Sequence, residues 1–334
     1  MIEINNITKT FDDYTAIKNL SFTVNESSLY GLVGYNGAGK TTLLKIIAGV
    51  YLPDCGDVLL NGKSLFEHPE LKTDLFYVPD DLYFGLGASM NSMAKFYMGF
   101  HPNFCIDTFK KLTGLFGLDP KKKLIGFSKG MQRQAEMILG LSCLPKVILL
   151  DESFDGLDPA KRNLTKKILL DYMAEKECSI IISSHNLHEL ADMCDHIALI
   201  NGQTIAINCA VDDMNGTRCK FRLAFKNEVE REAFGDLKIK NFKKDGKIVT
   251  FTVSENVEKA QEIINSLDPV LCERFPLSLE EIFLEEMEDT DYDFEKIFSC
   301  SLCVNVLELC QKDAFCSDRD ACCVASHHTA RICF

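Results

Sequence analysis

Eight consecutive residues near the start of the chain have the types and spacing of a phosphate-binding loop. They run from Gly34 to Thr41 as Gly-Tyr-Asn-Gly-Ala-Gly-Lys-Thr, the pattern of a P-loop. Glycines let the main chain wrap an anion with its amides pointing inward, and the next helix N-terminus adds partial positive charge. The alternative is a glycine turn that only caps a helix. The predicted phosphate contacts are Gly34, Asn36, Gly37, Gly39, Lys40, Thr41 and Thr42, with Lys40 on the β- and γ-phosphates and the Thr41 hydroxyl on Mg²⁺.

Two carboxylates follow a buried strand further along the chain. The apolar run at 147–150 is typical of a central strand, and Asp151 and Glu152 come directly after it. Ligands gather at the carboxyl ends of strands in open α/β sheets. We predict that Asp151 holds Mg²⁺ and that Glu152 polarises an attacking water as general base. An acidic strand end leading into a solvated loop is the alternative.

The elements that must position these residues alternate between strand and helix. Short apolar runs at 29–33, 147–150 and 179–182 predict buried strands, and helical spacing follows at 41–48 and 159–175. This alternation indicates an α/β core with a parallel sheet. An aromatic-rich helical insertion interrupts the core. A smaller α+β unit begins near residue 217, with strands near 220–224 and 248–253 and helices near 257–267 and 279–287.

Composition narrows the possible functions. The chain has 334 residues, enough for about two domains. Its net charge of −13 disfavours nucleic acid as a partner, because nucleic-acid binding needs a basic surface. No apolar run approaches the roughly 20 residues of a membrane span, and we expect no signal peptide, since the first residues lack a basic flank and an apolar core.

Four further motifs make the chain resemble the ATP-binding subunit of an ABC transporter, over about residues 1–288. Ahead of the carboxylates, Phe127-Ser128-Lys129-Gly130-Met131-Gln132 resembles the family's signature motif. After them, Gly156-Leu157-Asp158 resembles its D-loop and Ser183-Ser184-His185 its switch-histidine segment. Leu279-Glu280-Glu281-Ile282-Phe283 resembles the segment that commonly closes these subunits. Exporter-type subunits of small antibiotic-responsive bacterial operons share this Ser-Lys-Gly-Met signature and an acidic residue at the position of Asp80, and the chain resembles those subunits most.

The resemblance implies the fold class and its parts. We expect an α/β P-loop ATPase core with an N-terminal antiparallel β subdomain, an inserted helical subdomain and a small C-terminal α+β extension. The expected limits are 1–216 for the ATPase domain, with the helical subdomain at about 82–142, and 217–288 for the α+β domain.

The resemblance also implies roles for individual residues. Ser128 and Gly130 are expected to grip the γ-phosphate of nucleotide held by the opposite subunit. His185 is expected to contact the γ-phosphate and orient Glu152 and water. Phe11 is expected to stack on adenine, with Tyr14 as a rival and core packing as the alternative. Asp80 stands where the family has a glutamine, and we predict that it ligates Mg²⁺, although it cannot donate a hydrogen bond as an amide does.

The implied function is an ATP-hydrolysing subunit that powers a transporter, with an exporter favoured. The expected cofactors are ATP and Mg²⁺. The expected partners are integral-membrane permease subunits and a second ATP-binding subunit, at the cytoplasmic face of the cell membrane. A soluble ATPase acting in translation or DNA repair is the alternative. It is disfavoured because too few residues separate Lys40 from Ser128 for a long coiled coil.

Residues 289–334 lie outside the resemblance. They hold seven of the 15 cysteines, including a Cys300-x-x-Cys303 pair with the spacing of metal ligands. No second pair has convincing zinc-finger spacing. We interpret the segment as an extension without a selected fold, with a zinc site as the alternative.

Overall fold

The computed structural model describes residues 1–186, 190, 192–211, 218–235, 237–253, 256–277 and 281–282. Close approach between backbones groups Met1–Met287 into one compact unit. Among the described residues, no helix has both the length and the apolar character needed to cross a membrane. The cysteine-rich segment and most of the predicted 279–287 helix lie outside the described residues.

We number the strands and helices of the described residues in chain order. The strands are β1 (Ile2–Phe11), β2 (Tyr14–Val24), β3 (Leu29–Gly34), β4 (Cys55–Leu60), β5 (Lys63–Ser64), β6 (Leu75–Val78), β7 (Val147–Asp151), β8 (Ser179–Ser184), β9 (His196–Asn201), β10 (Thr204–Ala210), β11 (Cys219–Ala224), β12 (Ile239–Asp245), β13 (Ile248–Val253) and β14 (Leu271–Pro276). The helices are α1 (Lys40–Ile47), α2 (Met90–Met98), α3 (Ile106–Phe116), α4 (Lys129–Ser142), α5 (Pro159–Lys176) and α6 (Val257–Ser266).

The strands form three sheets. The first is antiparallel, in the order β2-β1-β4-β5. The central sheet has the order β10-β9-β3-β8-β7-β6, and all its pairs are parallel except β9 with β10. The third is antiparallel, in the order β12-β13-β11-β14. This mixed α/β fold, with antiparallel and parallel sheets, confirms the predicted fold class.

The central strands are buried on both faces, which explains their continuous apolar sequence. Leu149 and Ile181 pack on the face covered by the N-terminal sheet and α1. Their neighbours Ile148, Leu150 and Ile180 pack on the other face, against α4 and α5. Successive side chains of a strand point to opposite faces, so each strand contributes to both apolar cores. The sheet is thereby held in place from both sides.

Helices α2, α3 and α4 form the predicted helical insertion between β6 and β7. They share an apolar core that includes Met90, Phe109, Phe116 and Ile138. Ser89 and Ser92 form a reciprocal cap at the start of α2, which satisfies backbone donors that a helix N-terminus leaves free. The insertion therefore packs on itself, while the first turns of α4 lie beside the loop that follows the carboxyl end of β7.

Candidate functional site

The glycine-rich loop between β3 and α1 positions Lys40 at the base of a cavity. Gly39 precedes the helix with a φ of 104°, and a Cβ there would lie 2.7 Å from the Ala16 carbonyl oxygen. Only glycine fits both conditions. The Lys40 ammonium donates to the Gly34 and Tyr35 carbonyl oxygens at 2.8 and 3.1 Å. The loop thus holds its lysine folded back beneath the turn.

Asp151 ends β7 as a completely buried carboxylate. Its Oδ1 accepts hydrogen bonds from the hydroxyls of Thr41 at 3.1 Å and Ser183 at 2.6 Å, and its Oδ2 accepts from Tyr77 at 3.1 Å. No cationic side chain pairs with it among the described residues. A buried carboxylate costs free energy unless it is paired or coordinates a metal. Beside the Thr41 hydroxyl it offers the hard oxygen ligands that suit Mg²⁺, so these residues fit that ion.

Glu152 is the first residue after β7, and its carboxylate lies between two positively charged or protonatable groups. Its Oε1 is 3.3 Å from the Lys40 ammonium. Its Oε2 accepts a hydrogen bond from His185 Nδ1 at 2.7 Å. The side chain is 11% exposed, so it reaches the cavity while remaining mostly shielded from bulk water.

The contacts of Glu152 determine its protonation. Burial disfavours the ionised form, but the hydrogen bond from His185 and the charge of Lys40 outweigh it and hold the pKa of Glu152 below its usual range. The same hydrogen bond raises the pKa of His185, against a smaller opposing effect of burial. The site therefore holds Glu152 as an anion, the form that can accept a proton from water.

The cavity has a volume of about 440 Å³. Of the residues predicted for the site, it is lined by Phe11, Asn36, Gly37, Gly39, Lys40, Thr41, Thr42, Asp80, Glu152 and His185. Tyr14, the rival of Phe11, also lines it. The remaining predicted residues, Gly34, Asp151, Ser128 and Gly130, do not. Gly34 and Asp151 nevertheless contact lining residues through Lys40 and Thr41.

Two aromatic rings stand at the cavity mouth. Phe11 is 38% exposed, with the Tyr51 ring edge-on at 5.5 Å between centroids. Tyr14 donates its hydroxyl to the Gly37 carbonyl oxygen at 3.1 Å. The Tyr14 side chain is therefore hydrogen-bonded to the glycine-rich loop, whereas the Phe11 side chain is positioned by contacts of its ring.

Ser128 and Gly130 lie at the start of α4, outside the cavity. The exposed Ser128 caps the helix by accepting a hydrogen bond from the Met131 amide at 3.3 Å. Gly130 packs against the loop after β7 so closely that a Cβ would lie 2.8 Å from the Gly156 carbonyl oxygen. The signature motif of a chain therefore does not complete that chain's own cavity.

Asp80 reaches the cavity but is already paired. Its Oδ1 accepts a hydrogen bond from Arg133 of α4 at 2.6 Å, and Arg133 also donates to the main-chain carbonyl of Glu152. Sequence reasoning did not single out Arg133, which directly follows the signature motif but lies 53 residues from Asp80. It also missed three residues that line the cavity, Ala16, Tyr35 and Asp155. Each lies within three positions of a residue considered for the site, so extending each motif by a few positions finds them.

One further arrangement at the cavity could hold a metal ion. Glu152, Asp155 and His185 each offer a ligand atom, and these atoms lie within 4.8 Å of one another. Asp155 Oδ2 is 3.9 Å from His185 Nδ1. Because His185 already donates to Glu152, we interpret the trio as part of the same cavity wall.

Comparisons with known proteins identify the family that this chain resembles. The family profile described as ABC transporter matches residues 17–155. The ABC transporter ATP-binding protein YtrB of Bacillus subtilis (strain 168) is 27% identical over 85% of this chain and 97% of its own length. The bacitracin transport ATP-binding protein BcrA of Bacillus licheniformis is 27% identical over 85% and 96%. An uncharacterized ABC transporter ATP-binding protein of Methanocaldococcus jannaschii is 32% identical over 60% and 73%.

Solved structures share the fold. A structure described as the ATP binding subunit of an ABC transporter superposes with a TM-score of 0.60, at 22% identity, over 64% of this chain and 92% of that one. The ATP-binding cassette MJ0796 bound to ADP and Pi superposes with a TM-score of 0.57, at 18% identity, over 63% and 99%. The site geometry, the matched profile and the relatives lead to one conclusion: this chain belongs to the ABC transporter ATP-binding protein family.

Proposed function

We propose that this chain binds and hydrolyses ATP and thereby powers a transporter, an exporter, whose membrane-crossing subunits are separate chains. One observation carries the proposal. The Glu152 carboxylate lies between the Lys40 ammonium and the His185 ring at the wall of a cavity that the glycine-rich loop lines. A phosphate anchor and a candidate general base thus meet at one place.

The glycine-rich loop and Lys40 would hold the phosphate chain. An anion there meets inward-pointing amides, the N-terminus of α1 and the lysine charge. The Lys40 ammonium donates hydrogen bonds to the Gly34 and Tyr35 carbonyl oxygens and pairs with Glu152. A bound phosphate would replace some of these contacts with hydrogen bonds to its own oxygens. Phe11 offers a ring for stacking on adenine, since its side chain is partly exposed and lines the cavity.

Thr41 and Asp151 are the residues that would hold Mg²⁺. Bound there, the ion would neutralise charge on the phosphates and orient them. The Ser183 and Tyr77 hydroxyls, which donate to Asp151, keep its carboxylate turned towards Thr41. Because Asp151 is buried, any change of its orientation also disturbs β7 and the start of the Glu152 loop.

Glu152 is placed to take a proton from an attacking water. Its carboxylate is held ionised by His185 and Lys40 despite its burial. His185 is exposed on its outer side, where its ring could contact a phosphate while Nδ1 stays on Glu152. General bases contribute roughly 10²–10⁴-fold to such reactions.

A second ATP-binding subunit would complete the site. Ser128 and Gly130 lie outside the chain's own cavity, and Ser128 is exposed at a helix N-terminus that can accept an anion. In this proposal they contact the γ-phosphate held by the other subunit. An arrangement of two copies, each supplying half of both sites, follows.

The exposed surface of the helical insertion is evidence for a membrane-embedded partner. It exposes large apolar side chains, among them Tyr83 at 90%, Phe96 at 55% and Phe100 at 62%. Exposed apolar surface of this kind marks protein contacts. We propose that permease subunits cover it, which would hold the chain at the cytoplasmic face of the membrane. The name of the relative BcrA, a bacitracin transport ATP-binding protein, supports transport as the process that the chain powers.

Purification from membranes with any tightly bound chains tests the transport assignment. Integral-membrane subunits identified by mass spectrometry, released by Phe96→Ser with Phe100→Ser but not by Lys129→Ala, are expected. Ribosomal or DNA-repair proteins in their place would favour the soluble alternative. The rate of ATP hydrolysis by the purified chain and by its Glu152→Gln variant tests the ATPase assignment separately.

A further inference from the structure

The Arg133 side chain joins the loop after β6 to the loop after β7. Its guanidinium donates to the Glu152 carbonyl oxygen and to Asp80 Oδ1, the latter at 2.6 Å. Arg133 is 11% exposed, whereas Asp80 is 49% exposed. An inward-facing cation is thus held between a main-chain oxygen and a carboxylate at the edge of the nucleotide cavity.

Helix α4 touches the Glu152 loop at two points on one face. Gly130 and Arg133 are three positions apart, so they lie on the same side of the helix. Gly130 packs against the Gly156 carbonyl and Arg133 binds the Glu152 carbonyl. The start and the end of the loop from 152 to 156 therefore both rest on the first turns of α4.

The main chain of Glu152 is held in an unusual conformation. Its φ is 46°, in the left-handed region, which is strained for a residue with a side chain. The Glu152 amide donates to the Ser183 carbonyl and hydroxyl oxygens, at 3.2 and 3.0 Å. Its carbonyl accepts from Arg133. The conformation thus has a hydrogen-bonded partner on each side of the residue.

Arginine suits this position better than other cations. Its planar guanidinium presents several N–H groups in a fixed fork, so one side chain can bind two acceptors in a set geometry. A lysine ammonium is a point charge on a flexible stem and fixes neither direction. The Asp80 carboxylate in turn neutralises the guanidinium and sets its orientation.

We propose that Arg133 is a positioning residue for Glu152, and that Asp80 acts through Arg133. Arg133 fixes the Glu152 main chain by its carbonyl, and Asp80 fixes the guanidinium. The inference rests on the proposed role of Glu152 in ATP hydrolysis. It also gives Asp80 a different task from the one that the sequence predicts, since its carboxylate serves the arginine rather than Mg²⁺.

The proposal is tested on the purified full chain with Arg133→Met, Arg133→Lys and Asp80→Ala. Misplacing a catalytic group by about 1 Å can cost about 10²-fold in rate, so we expect Arg133→Met to lower kcat by about 10–100-fold. KM for ATP, affinity for a fluorescent ATP analogue and the thermal midpoint, to within about 4 °C, should change little. The kcat of Arg133→Lys should fall between those of the wild type and Arg133→Met, because lysine keeps the positive charge but lacks the planar guanidinium fork.

The ion pair of Lys146 with Asp74 is a matched control. These side chains are 3.0 Å apart and join the residue before β6 to the residue before β7, at the opposite end of the same two strands. Lys146→Met likewise removes the cation of an ion pair, at the end of these strands away from the cavity. We expect it to leave kcat at the wild-type value.

The combination of Asp80→Ala with Arg133→Met separates the two roles of Asp80. If Asp80 acts through Arg133, the double variant is no slower than Arg133→Met, and the Mg²⁺ concentration for half-maximal rate stays the same. If Asp80 ligates Mg²⁺, the two losses multiply and that concentration rises, which would overturn the inference about Asp80.

Glu152→Gln distinguishes the failure of this inference from the failure of the proposed function. A large loss in Glu152→Gln with wild-type kcat in Arg133→Met would refute the positioning role while leaving the ATPase role intact. Full activity in Glu152→Gln would refute the proposed function itself. A parallel fall of kcat, nucleotide affinity and thermal midpoint in Arg133→Met, shared by Arg133→Lys, would show a merely structural role.

Discussion

Glu136 of α4 provides a prediction whose size follows from the structure. Its side chain is 6% exposed, and Oε1 accepts a hydrogen bond from the Tyr97 hydroxyl at 2.6 Å. Its Oε2 makes no hydrogen bond to any residue that the structure describes. Burial raises the pKa of Glu136 to about 7, although the Tyr97 hydrogen bond opposes the rise. The native state therefore holds this proton more tightly than the unfolded chain does.

The sign of the pH effect follows from that difference. Between the unfolded pKa of 4.5 and the folded pKa of about 7, the unfolded chain releases the proton while the native state keeps it. The free energy of unfolding falls as pH rises through this window and levels off above it. Each pKa unit is worth about 1.36 kcal/mol, so Glu136 lowers the stability by about 3 kcal/mol at pH 8 relative to pH 4.

Glu136→Gln removes this titration while keeping the shape of the protonated acid. Urea unfolding of both proteins from pH 4 to pH 8 is the assay. We expect nearly equal stability at pH 4 and a variant about 3 kcal/mol more stable at pH 8. Glu177→Gln, an exposed change at the end of α5, is the control. A difference between wild type and Glu136→Gln that stays constant with pH would refute the reasoning.

Three other perturbations have expected outcomes. Lys40→Ala should weaken ATP binding about 10–100-fold by calorimetry, since charged hydrogen bonds are worth about 1.5–3 kcal/mol; unchanged affinity would remove Lys40 from the phosphate site. Gly130→Ala should lower the free energy of unfolding by about 1–3 kcal/mol through overpacking, because its Cβ meets a carbonyl oxygen at 2.8 Å, whereas Gly114→Ala on α3 meets nothing within 4 Å and should not destabilise the protein. Phe11→Ala should weaken ATP binding by about 1–3 kcal/mol if the ring stacks on adenine, and a larger loss in Tyr14→Ala would instead favour the rival ring.

The core of the fold could be predicted because its signals are local. The predicted strands at 29–33 and 147–150 each extend by one residue to form β3 and β7, and the one at 179–182 extends by two residues to form β8. Strands buried on both faces are continuously apolar, so their sequence identifies them without tertiary information. The carboxyl ends of such strands share one edge of the sheet, which is why Glu152 lies 3.3 Å from Lys40 and Asp151 accepts a hydrogen bond from Thr41.

The hairpin of β9 and β10 was missed, although its turn has a signal. Asn201 pairs with Thr204, so the two-residue loop is Gly202-Gln203, and its φ values of 54° and 74° are those of the mirror-image turns that hairpins favour. The four residues from Ile197 to Ile200 are apolar and buried, as in the other strands of the central sheet, so the strand before the turn also has a sequence signal.

The contact between Arg133 and Asp80 could not be predicted from the sequence. Asp80 stands at the family's glutamine position and Arg133 directly follows the signature motif. Neither motif indicates the other residue as a partner, and 53 positions separate the two. They meet because α4 packs its first turns against the loop after β7 while β6 ends beside it. Pairing of this kind depends on the packing of the helical insertion, which no local periodicity encodes.

The rate of ATP hydrolysis by Glu152→Gln tests the central claim most directly. The substitution keeps the shape of the side chain and removes the base, while Glu177→Gln makes the same change at an exposed position at the end of α5 and serves as the control. The account predicts that Glu152→Gln binds ATP as the wild type does and hydrolyses it about 10²–10⁴-fold more slowly, with Glu177→Gln close to wild type. Hydrolysis by Glu152→Gln at the wild-type rate would contradict the account.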